Sequence, residues 1–218
     1  MPRWTPEPLW KGSDAIIIGG GDSLRDNNFP WDTLKDEMTI GCNAAYKLGK
    51  EICSIVLWGD SNSFPTFKDE LRDCDIPIFT QSPKLFNSKL PWLRTIRRMP
   101  HGLHHDAIGW NGNTGVGAIN LAFLLGCPKV YLLGFDMSIS NGRSNWHNDY
   151  KKLKKQPGRL THGRFMRDIE KYVVPDWKAK FGDREIINVN DRSRLTCFPI
   201  LSYSEFLAER SEKCALVS

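Results

Sequence analysis

Short apolar runs separated by longer polar stretches form the basic pattern of this chain. Four of the runs are continuous, as expected for strands that are buried on both faces of a parallel sheet: residues 15–18, 38–40, 54–58 and 129–133. Two weaker runs, at residues 76–80 and 185–189, are expected to complete the sheet. The pattern therefore predicts about six strands distributed along most of the chain.

Two of the intervening stretches have the spacing of helices. Residues 117–125 are mostly apolar, which predicts a largely buried helix, and Asn113 and Thr114 stand where a cap is expected. A second helix is predicted at about residues 164–181, with one apolar face formed by Phe165, Ile169, Tyr172 and Val173. Pro175 should kink or divide this second helix.

Strands that alternate with helices predict an α/β fold, namely a Rossmann-like, doubly wound and mainly parallel sheet in a single domain. We expect the domain to span residues 14–200, after an N-terminal extension (1–13) and before a C-terminal tail (201–218). The polar segment 138–159 is too long for an ordinary connection and is predicted to be a lid-like loop. Ligands of such sheets bind beyond the carboxyl ends of the strands.

The composition agrees with one globular domain. The chain has 218 residues, of which 40% are hydrophobic and 25% are charged. No apolar run approaches the ~20 residues of a membrane-spanning helix, and the N-terminus lacks the apolar stretch of a secretory signal. We therefore expect no membrane span and a cytoplasmic location, in which the cysteines are reduced core thiols.

The charge balance points to an anionic ligand. The formal net charge is +5 and the sequence pI is about 8.9. Two basic clusters stand out, which are Arg94, Arg97 and Arg98, and Lys151, Lys152, Lys154 and Lys155. Each cluster is either a solvated surface or a contact for a polyanionic acceptor such as DNA.

A glycine-rich turn follows the first strand. Gly19, Gly20 and Gly21 come directly after the apolar run and precede Asp22 and Ser23. Glycines allow a sharp turn, and their N–H groups can face a phosphate without an intervening side chain. The turn matches neither a GxGxxG fingerprint nor a P-loop. We predict a nucleotide phosphate site of another kind, with a purely structural turn as the alternative.

Polar groups also follow the later strands. Asn43, Asp60 and Asp136 each stand just after an apolar run. Because the carboxyl ends of parallel strands meet at one edge of a sheet, these side chains could line one pocket. Asn43 could donate to a phosphate oxygen, and Asp60 could accept from ribose hydroxyls or a base amine. A capping or turn role is the alternative for each.

The N-terminus of the buried helix is a second candidate anion site. Asn113, Thr114 and Gly115 lie where free N–H groups and the positive end of the helix dipole would face a phosphate or carboxylate. Plain capping of the helix by Asn113 or Thr114 is the alternative.

Histidines provide the candidate proton acceptors. His147, which stands in a Trp-His-Asn-Asp segment with Asp149, and His162 flank the polar loop. A histidine there could take a proton from an attacking hydroxyl near neutral pH. The remaining histidines lack the spacing of a metal site, so no metal ligands are predicted; they are His101, His104 and His105.

The chain contains four motifs in this order: IIIGGGDSL, GCNAAY, NTGVGAINLAFLLGCPKVYLLGFDM and THGRFMRDIEKY. Together they resemble the bacterial sialyltransferases of the Campylobacter type, over roughly residues 14–200. The chain also resembles the related domain of archaeal 6-hydroxymethylpterin pyrophosphokinases and a set of bacteriophage proteins. The bacteriophage proteins are the nearest in character, through NAAY, WHND and residues 188–199.

The sialyltransferase resemblance implies a role for individual positions. Gly19, Gly21 and Ser23 would line the nucleotide phosphate, and Asn43 would contact the phosphate or ribose. The further implied positions are Asp60 at the nucleoside, Thr114 with Gly115 at the sugar-binding turn, and His162 as the general base. The chain departs from the family at Asp22, which replaces a proline, and at Ser138 and a position near Asn145 or Trp146, which replace two tyrosines that assist the departing phosphate.

These observations predict a nucleotide-sugar-dependent transferase of the glycosyltransferase type. The donor would be a CMP- or UDP-activated sugar, the acceptor a hydroxyl of a glycan or of a modified base in phage DNA, and the base His162, with no obligatory metal. One alternative is a pyrophosphokinase that binds ATP and holds Mg²⁺ through carboxylates such as Asp60 and Asp136. A second alternative is a non-catalytic nucleotide-binding protein.

Overall fold

The computed structural model describes residues 3–26, 29–139, 145–147 and 159–217. Its strands are β1 (Ala15–Ile18), β2 (Thr39–Cys42), β3 (Ile55–Leu57), β4 (Ile78–Thr80), β5 (Leu93–Thr95), β6 (Arg98–Met99), β7 (Ile108–Gly109), β8 (Lys129–Leu133), β9 (Glu185–Val189) and β10 (Ile200–Leu201). Its α-helices are α1 (Ser23–Asp26), α2 (Phe64–Asp73), α3 (Thr114–Leu124), α4 (Arg159–Asp168), α5 (Val174–Lys180) and α6 (Tyr203–Val217).

Eight strands form one sheet in the order β10-β9-β8-β1-β2-β3-β4-β5, and every described pair in it is parallel. Strands β2 to β5 follow one another outward on one side of β1, and β8 then pairs with β1 on its other side. The strand order therefore reverses between β1 and β8, which is where doubly wound sheets bind their ligands. The predicted α/β fold class is confirmed.

Both faces of the sheet are buried, which explains why its central strands are continuous apolar runs. Ile17 packs with Leu132 and with the apolar residues of α3 in one core, whereas Ile16 and Ile18 pack with residues of α2 and α6 in the other. A strand with alternating polar residues would bury polar groups in one of these two cores.

Three predicted strands have the same bounds as the observed ones: residues 15–18, 129–133 and 185–189. The other three predicted strands differ from the observed strands at their ends. Four strands were missed: β5, β6, β7 and β10. Each of them has only two or three residues, which is too short to show a hydrophobic period. The pair β6–β7 forms a separate two-stranded parallel ladder.

The predicted long helix changes its hydrogen-bond pattern just before Pro175 and is not interrupted there. α4 leads directly into a π-helical turn, Ile169–Val173, and that turn leads directly into α5, whose second residue is Pro175. The π-helical turn keeps Ile169 and Val173 in the core. Helix α3 begins three residues before the predicted start, at Thr114.

The two terminal segments pack on the domain. Trp4 donates its backbone N–H to Thr95, and its ring lies 4.7 Å from that of Phe79. The segment predicted to be a C-terminal tail forms α6, whose Phe206 is fully buried, so this helix packs on the domain through its first part. Among the described residues, five cysteines are free thiols and no helix is long and apolar enough to cross a membrane.

Candidate functional site

A cleft opens at the carboxyl edge of the sheet, at the point where the strand order reverses. The space within it, open solvent at its mouth included, is about 760 Å³. The lining residues are Gly19, Gly20, Gly21, Cys42, Asn43, Asn113, Thr114, Gly115, Gly134, Phe135, Asp136, Met137, Ser138, Asn145, His147, His162 and Phe165. Eleven of the predicted site residues thus meet in one cleft: the three glycines of the turn, Asn43, Asn113, Thr114, Gly115, Asp136, Ser138, His147 and His162.

The glycine turn is held against β8 by its backbone. The N–H groups of Gly19 and Gly21 donate to the carbonyls of Leu133 and Gly134, each at 2.8 Å. A Cβ atom on Gly19 would lie 2.7 Å from the Gly134 carbonyl oxygen, so a side chain cannot be accommodated there without movement. The N–H groups of Gly19 and Gly21 therefore close the turn within the protein.

Asp136 is the centre of a hydrogen-bond network beneath this turn. Its carboxylate accepts from the Ser23 N–H at 2.8 Å, the Ser23 hydroxyl at 2.5 Å and the Asn190 side-chain amide at 2.8 Å. Ser23 and Asp22 do not line the cleft, and the buried Asp22 lies 3.7 Å from the Arg25 guanidinium. The predicted phosphate contact of Ser23 is replaced by a bond to Asp136, a residue 113 positions away.

Asn43 joins three elements at the cleft wall. Its side-chain oxygen accepts from the Gly59 N–H at 2.9 Å, and its amide nitrogen lies 3.2 Å from the hydroxyl of Thr114. Asn43 has a positive φ of 50°, a conformation that asparagine tolerates better than most residues. The ends of β2 and β3 and the start of α3 are thereby held together around one amide that faces the cleft.

Helix α3 begins at the floor of the cleft. Asn113 caps it, since its side-chain oxygen accepts from the N–H groups of Gly115 and Val116 at 2.8 and 3.4 Å. A Cβ atom on Gly115 would collide with the ring of Phe135, which explains the glycine. The capping alternative is thus confirmed for Asn113, and the positive end of the α3 dipole still points toward the cleft.

Asp60 does not line the cleft. Its side-chain oxygen Oδ1 accepts from the N–H groups of Asn62 and Ser63 at 3.1 and 3.3 Å, and its carbonyl accepts from the Trp58 indole at 2.7 Å. These bonds form an Asx turn that leads into α2. The structural alternative is the one observed, and the implied nucleoside contact of Asp60 has no support in this geometry.

His162 lies on α4 and faces the cleft, with 9% of its surface exposed. Its Nδ1 atom is buried and has no hydrogen-bond partner among the described residues. Burial lowers the pKa of His162 from its ordinary value, while the nearby Asp136 charge raises it and Arg194 lowers it. The imidazole is therefore neutral at neutral pH and able to accept a proton.

Residues 145–147 lie across the glycine turn. Trp146 donates its backbone N–H to Gly20 and its indole N–H to Gly19, at 2.9 and 3.0 Å, and its ring lies 5.6 Å from that of Trp31. Through these contacts Asn145 and His147 become part of the cleft lining. Asp149 and most of the predicted lid-like loop lie outside the described residues.

Several cleft residues were missed from the sequence. Phe135, Met137 and Phe165 supply apolar surface, and Met137 has a positive φ of 50°, a strained conformation for this residue type. Cys42 also lines the cleft, but burial raises its pKa, so it is a thiol at neutral pH and a poor nucleophile. Among the described residues, no group of three or more His, Cys, Asp or Glu side chains is arranged to hold a metal ion.

No protein-family model and no curated protein matches this chain. Solved structures share its fold. The sialyltransferase CstII from Campylobacter jejuni, in complex with cytidine 5′-monophosphate, has a TM-score of 0.55 at 18% sequence identity, over 88% of this chain and 86% of that chain. Sialyltransferase CST-II with a trisaccharide acceptor and CMP has a TM-score of 0.53 at 18% identity, over 87% and 86% of the two chains.

The monofunctional α-2,3-sialyltransferase Cst-I from Campylobacter jejuni is a further structural neighbour, with a TM-score of 0.54 at 18% identity, over 86% of this chain and 80% of that chain. At this level of identity the likeness establishes a shared α/β fold. What the fold does in this chain has to be argued from the cleft.

Proposed function

We propose that this chain is a transferase of the glycosyltransferase type, which moves a sugar from a CMP- or UDP-activated donor to a hydroxyl group. The observation that carries the proposal is the convergence of His162 with the glycine turn, Asn43 and the N-terminus of α3 in one cleft at the strand-order reversal. The fold neighbours include structures in complex with CMP and with CMP-3FNeuAc, which supports a nucleotide-activated donor.

The leaving phosphate would be stabilised mainly by neutral groups. The described lining contains no lysine or arginine, but it offers the N-terminus of α3, the Asn43 amide and the hydroxyls of Thr114 and Ser138. Donors that are already held in place can stabilise a developing negative charge by several kcal/mol, because nothing has to reorganise during the reaction. Gly20 is the glycine of the turn whose N–H group we expect to join them.

His162 would act as the general base. A neutral imidazole can take the proton from the acceptor hydroxyl as that oxygen attacks the anomeric carbon of the donor. The bond from that carbon to the phosphate breaks at the same time, and the nucleotide leaves with the bonding electron pair. The lowered pKa of His162 keeps its nitrogen unprotonated before each turnover.

The geometry does not favour the pyrophosphokinase alternative. That mechanism needs carboxylates such as Asp60 and Asp136 at the phosphates to hold Mg²⁺. Asp60 instead forms the turn before α2, and the Asp136 carboxylate already accepts three hydrogen bonds from Ser23 and Asn190. We therefore propose only the sugar transfer.

We propose a glycan as the acceptor in preference to DNA. In the first basic cluster, Arg97 forms an ion pair with Asp106, while Arg94 lies over the ring of Phe79 and Arg98 over the ring of Trp110. These three arginines are engaged within the protein, and the lysines of the second cluster lie outside the described residues. A duplex affinity that falls steeply with salt would instead favour DNA as the acceptor.

The test is release of nucleotide from CMP- and UDP-sugars in the presence of a panel of glycans, measured for the wild type and for His162→Gln. We expect the variant to be about 10² to 10⁴-fold slower while it retains its affinity for CMP. His101→Ala is the control, since His101 is exposed and stacks on Tyr172 outside the cleft lining. Full turnover in His162→Gln would contradict the proposal, and CMP binding without any release would favour the non-catalytic alternative.

A further inference from the structure

The network beneath the glycine turn extends to the C-terminal helix. Tyr203 is the first residue of α6, and its hydroxyl oxygen lies 2.9 Å from Oγ of Ser23. Oγ of Ser23 lies in turn 2.5 Å from Oδ1 of Asp136. In this short bond the Ser23 hydroxyl is the donor, and a hydroxyl has a single proton to give. The bond between Tyr203 and Ser23 must then have Tyr203 as its donor.

The protonation state of Tyr203 agrees with this direction. Burial raises the pKa of Tyr203 well above its ordinary value, so the phenol keeps its proton across the working pH range. Tyr203 therefore donates to Ser23, and Ser23 donates to Asp136. The Ser23 proton is committed to the network and cannot be given to a bound phosphate.

Tyr203 is well placed to fix this network because α6 is firmly attached to the sheet. Phe206 is fully buried, and Arg210 lies 3.4 Å from both Asp14, just before β1, and Glu37, just before β2. The ring of Tyr203 also packs edge-on against Phe29 at 5.7 Å. The hydroxyl of Tyr203 is thus held by an element that is anchored at the opposite edge of the sheet from the cleft.

Asp136, the acceptor at the end of this hydrogen-bond network, is tightly packed against the glycine turn. A Cβ atom on Gly21 would lie within 2.6 Å of all three atoms of the Asp136 carboxyl group, so the turn and the carboxylate are packed too closely to admit a side chain at this position. The Ser23 N–H adds a second bond to Asp136 at 2.8 Å. A small shift of Asp136 would therefore move the glycine turn.

We propose that Tyr203 is a positioning residue of the donor site: its hydroxyl fixes Ser23 on Asp136, and thereby holds the glycine turn in the form that receives the donor's phosphate. This inference rests on the proposed function. The C-terminal helix α6 then supports the nucleotide site through Tyr203, although none of its described residues lines the cleft.

The test compares Tyr203→Phe with Tyr131→Phe. Tyr131 is a matched control because it is also buried and its hydroxyl also bonds to α6, donating to Glu209 at 2.8 Å about two turns along the helix from Tyr203. We expect calorimetric titration with CMP to give a Kd about fivefold higher for Tyr203→Phe and an unchanged Kd for Tyr131→Phe. Equal affinities in the two variants would overturn the proposal.

A second measurement does not depend on any ligand. Amide hydrogen exchange in the free protein reports on the Ser23 N–H, which bonds to Asp136, and on the Gly21 N–H, which bonds to Gly134. We expect faster exchange at both in Tyr203→Phe than in Tyr131→Phe. If the wild type binds neither cytidine nor uridine nucleotides, the proposed function fails, and this exchange comparison decides the positioning role alone: equal protection in the two variants contradicts it.

Discussion

The close approach of Gly21 and Asp136 makes Gly21→Ala a sensitive perturbation. Gly21 does not have a positive φ, so alanine is tolerated by the backbone itself, and the cost comes from the new methyl group. All three atoms of the Asp136 carboxyl group would lie within 2.6 Å of that methyl carbon. Asp136 cannot turn away without losing its bonds to Ser23 and Asn190.

Overpacking of this kind costs about 2 kcal/mol. In a domain of this size such a loss lowers Tm by about 4 to 8 °C. The thermal-shift assay would be run with and without saturating CMP, because displacement of the turn should also weaken the stabilisation by the nucleotide. Gly163→Ala is the matched control: a Cβ atom there meets nothing within 4 Å, and alanine is the better residue inside α4.

We expect Gly163→Ala to keep or raise Tm, by up to about 1 kcal/mol in stability. A Gly21→Ala variant with the Tm and the CMP response of the wild type would refute the described packing of the turn on Asp136.

Three further outcomes follow from single side chains. Asn113→Ala removes the cap of α3 and should cost about 1 kcal/mol in urea unfolding while it also weakens CMP binding. Arg210→Met leaves the carboxylates of Asp14 and Glu37 without their buried cation, so a loss of about 3 kcal/mol is expected, and an unchanged unfolding midpoint would contradict the pairing. Burial lowers the pKa of His162 in the folded state, so on acidification the unfolded chain binds a proton at this residue at a higher pH than the folded protein does. The free energy of unfolding should therefore fall as the pH drops from about 6.5 toward the lowered pKa. His162→Gln should flatten this dependence in unfolding curves measured at a series of pH values, and turnover of the wild type should rise with pH through the same lowered pKa.

The sequence was sufficient to predict the central sheet because its strands are buried on both faces. A short continuous apolar run that is followed directly by glycines, such as residues 15–18, is typical of a buried parallel strand. The cap at Asn113 was equally visible, since an asparagine before an apolar helical stretch is a local signal. Structural features that are set by residues close together in the sequence could therefore be predicted.

Features that depend on contacts between residues far apart in the sequence could not be predicted. Ser23 resembles a phosphate ligand in a glycine-rich turn, and only the fold shows that its hydroxyl bonds to Asp136. Asp60 after β3 gives the same local signal whether it binds a ribose or closes an Asx turn. Helix α6 was missed because Arg210 lies on its buried side, which breaks the apolar period that would reveal an amphipathic helix.

The central claim is that the cleft binds the nucleotide part of an activated sugar donor. Thermal unfolding of the wild type with CMP, CDP, UMP, UDP, GDP, ADP and ATP, each with and without Mg²⁺, tests it most directly, since a ligand that binds only the folded state raises stability by RT ln(1 + [L]/Kd). The account predicts stabilisation by a pyrimidine nucleotide that does not require magnesium. Stabilisation by ATP only in the presence of magnesium, or by no nucleotide at all, would contradict it.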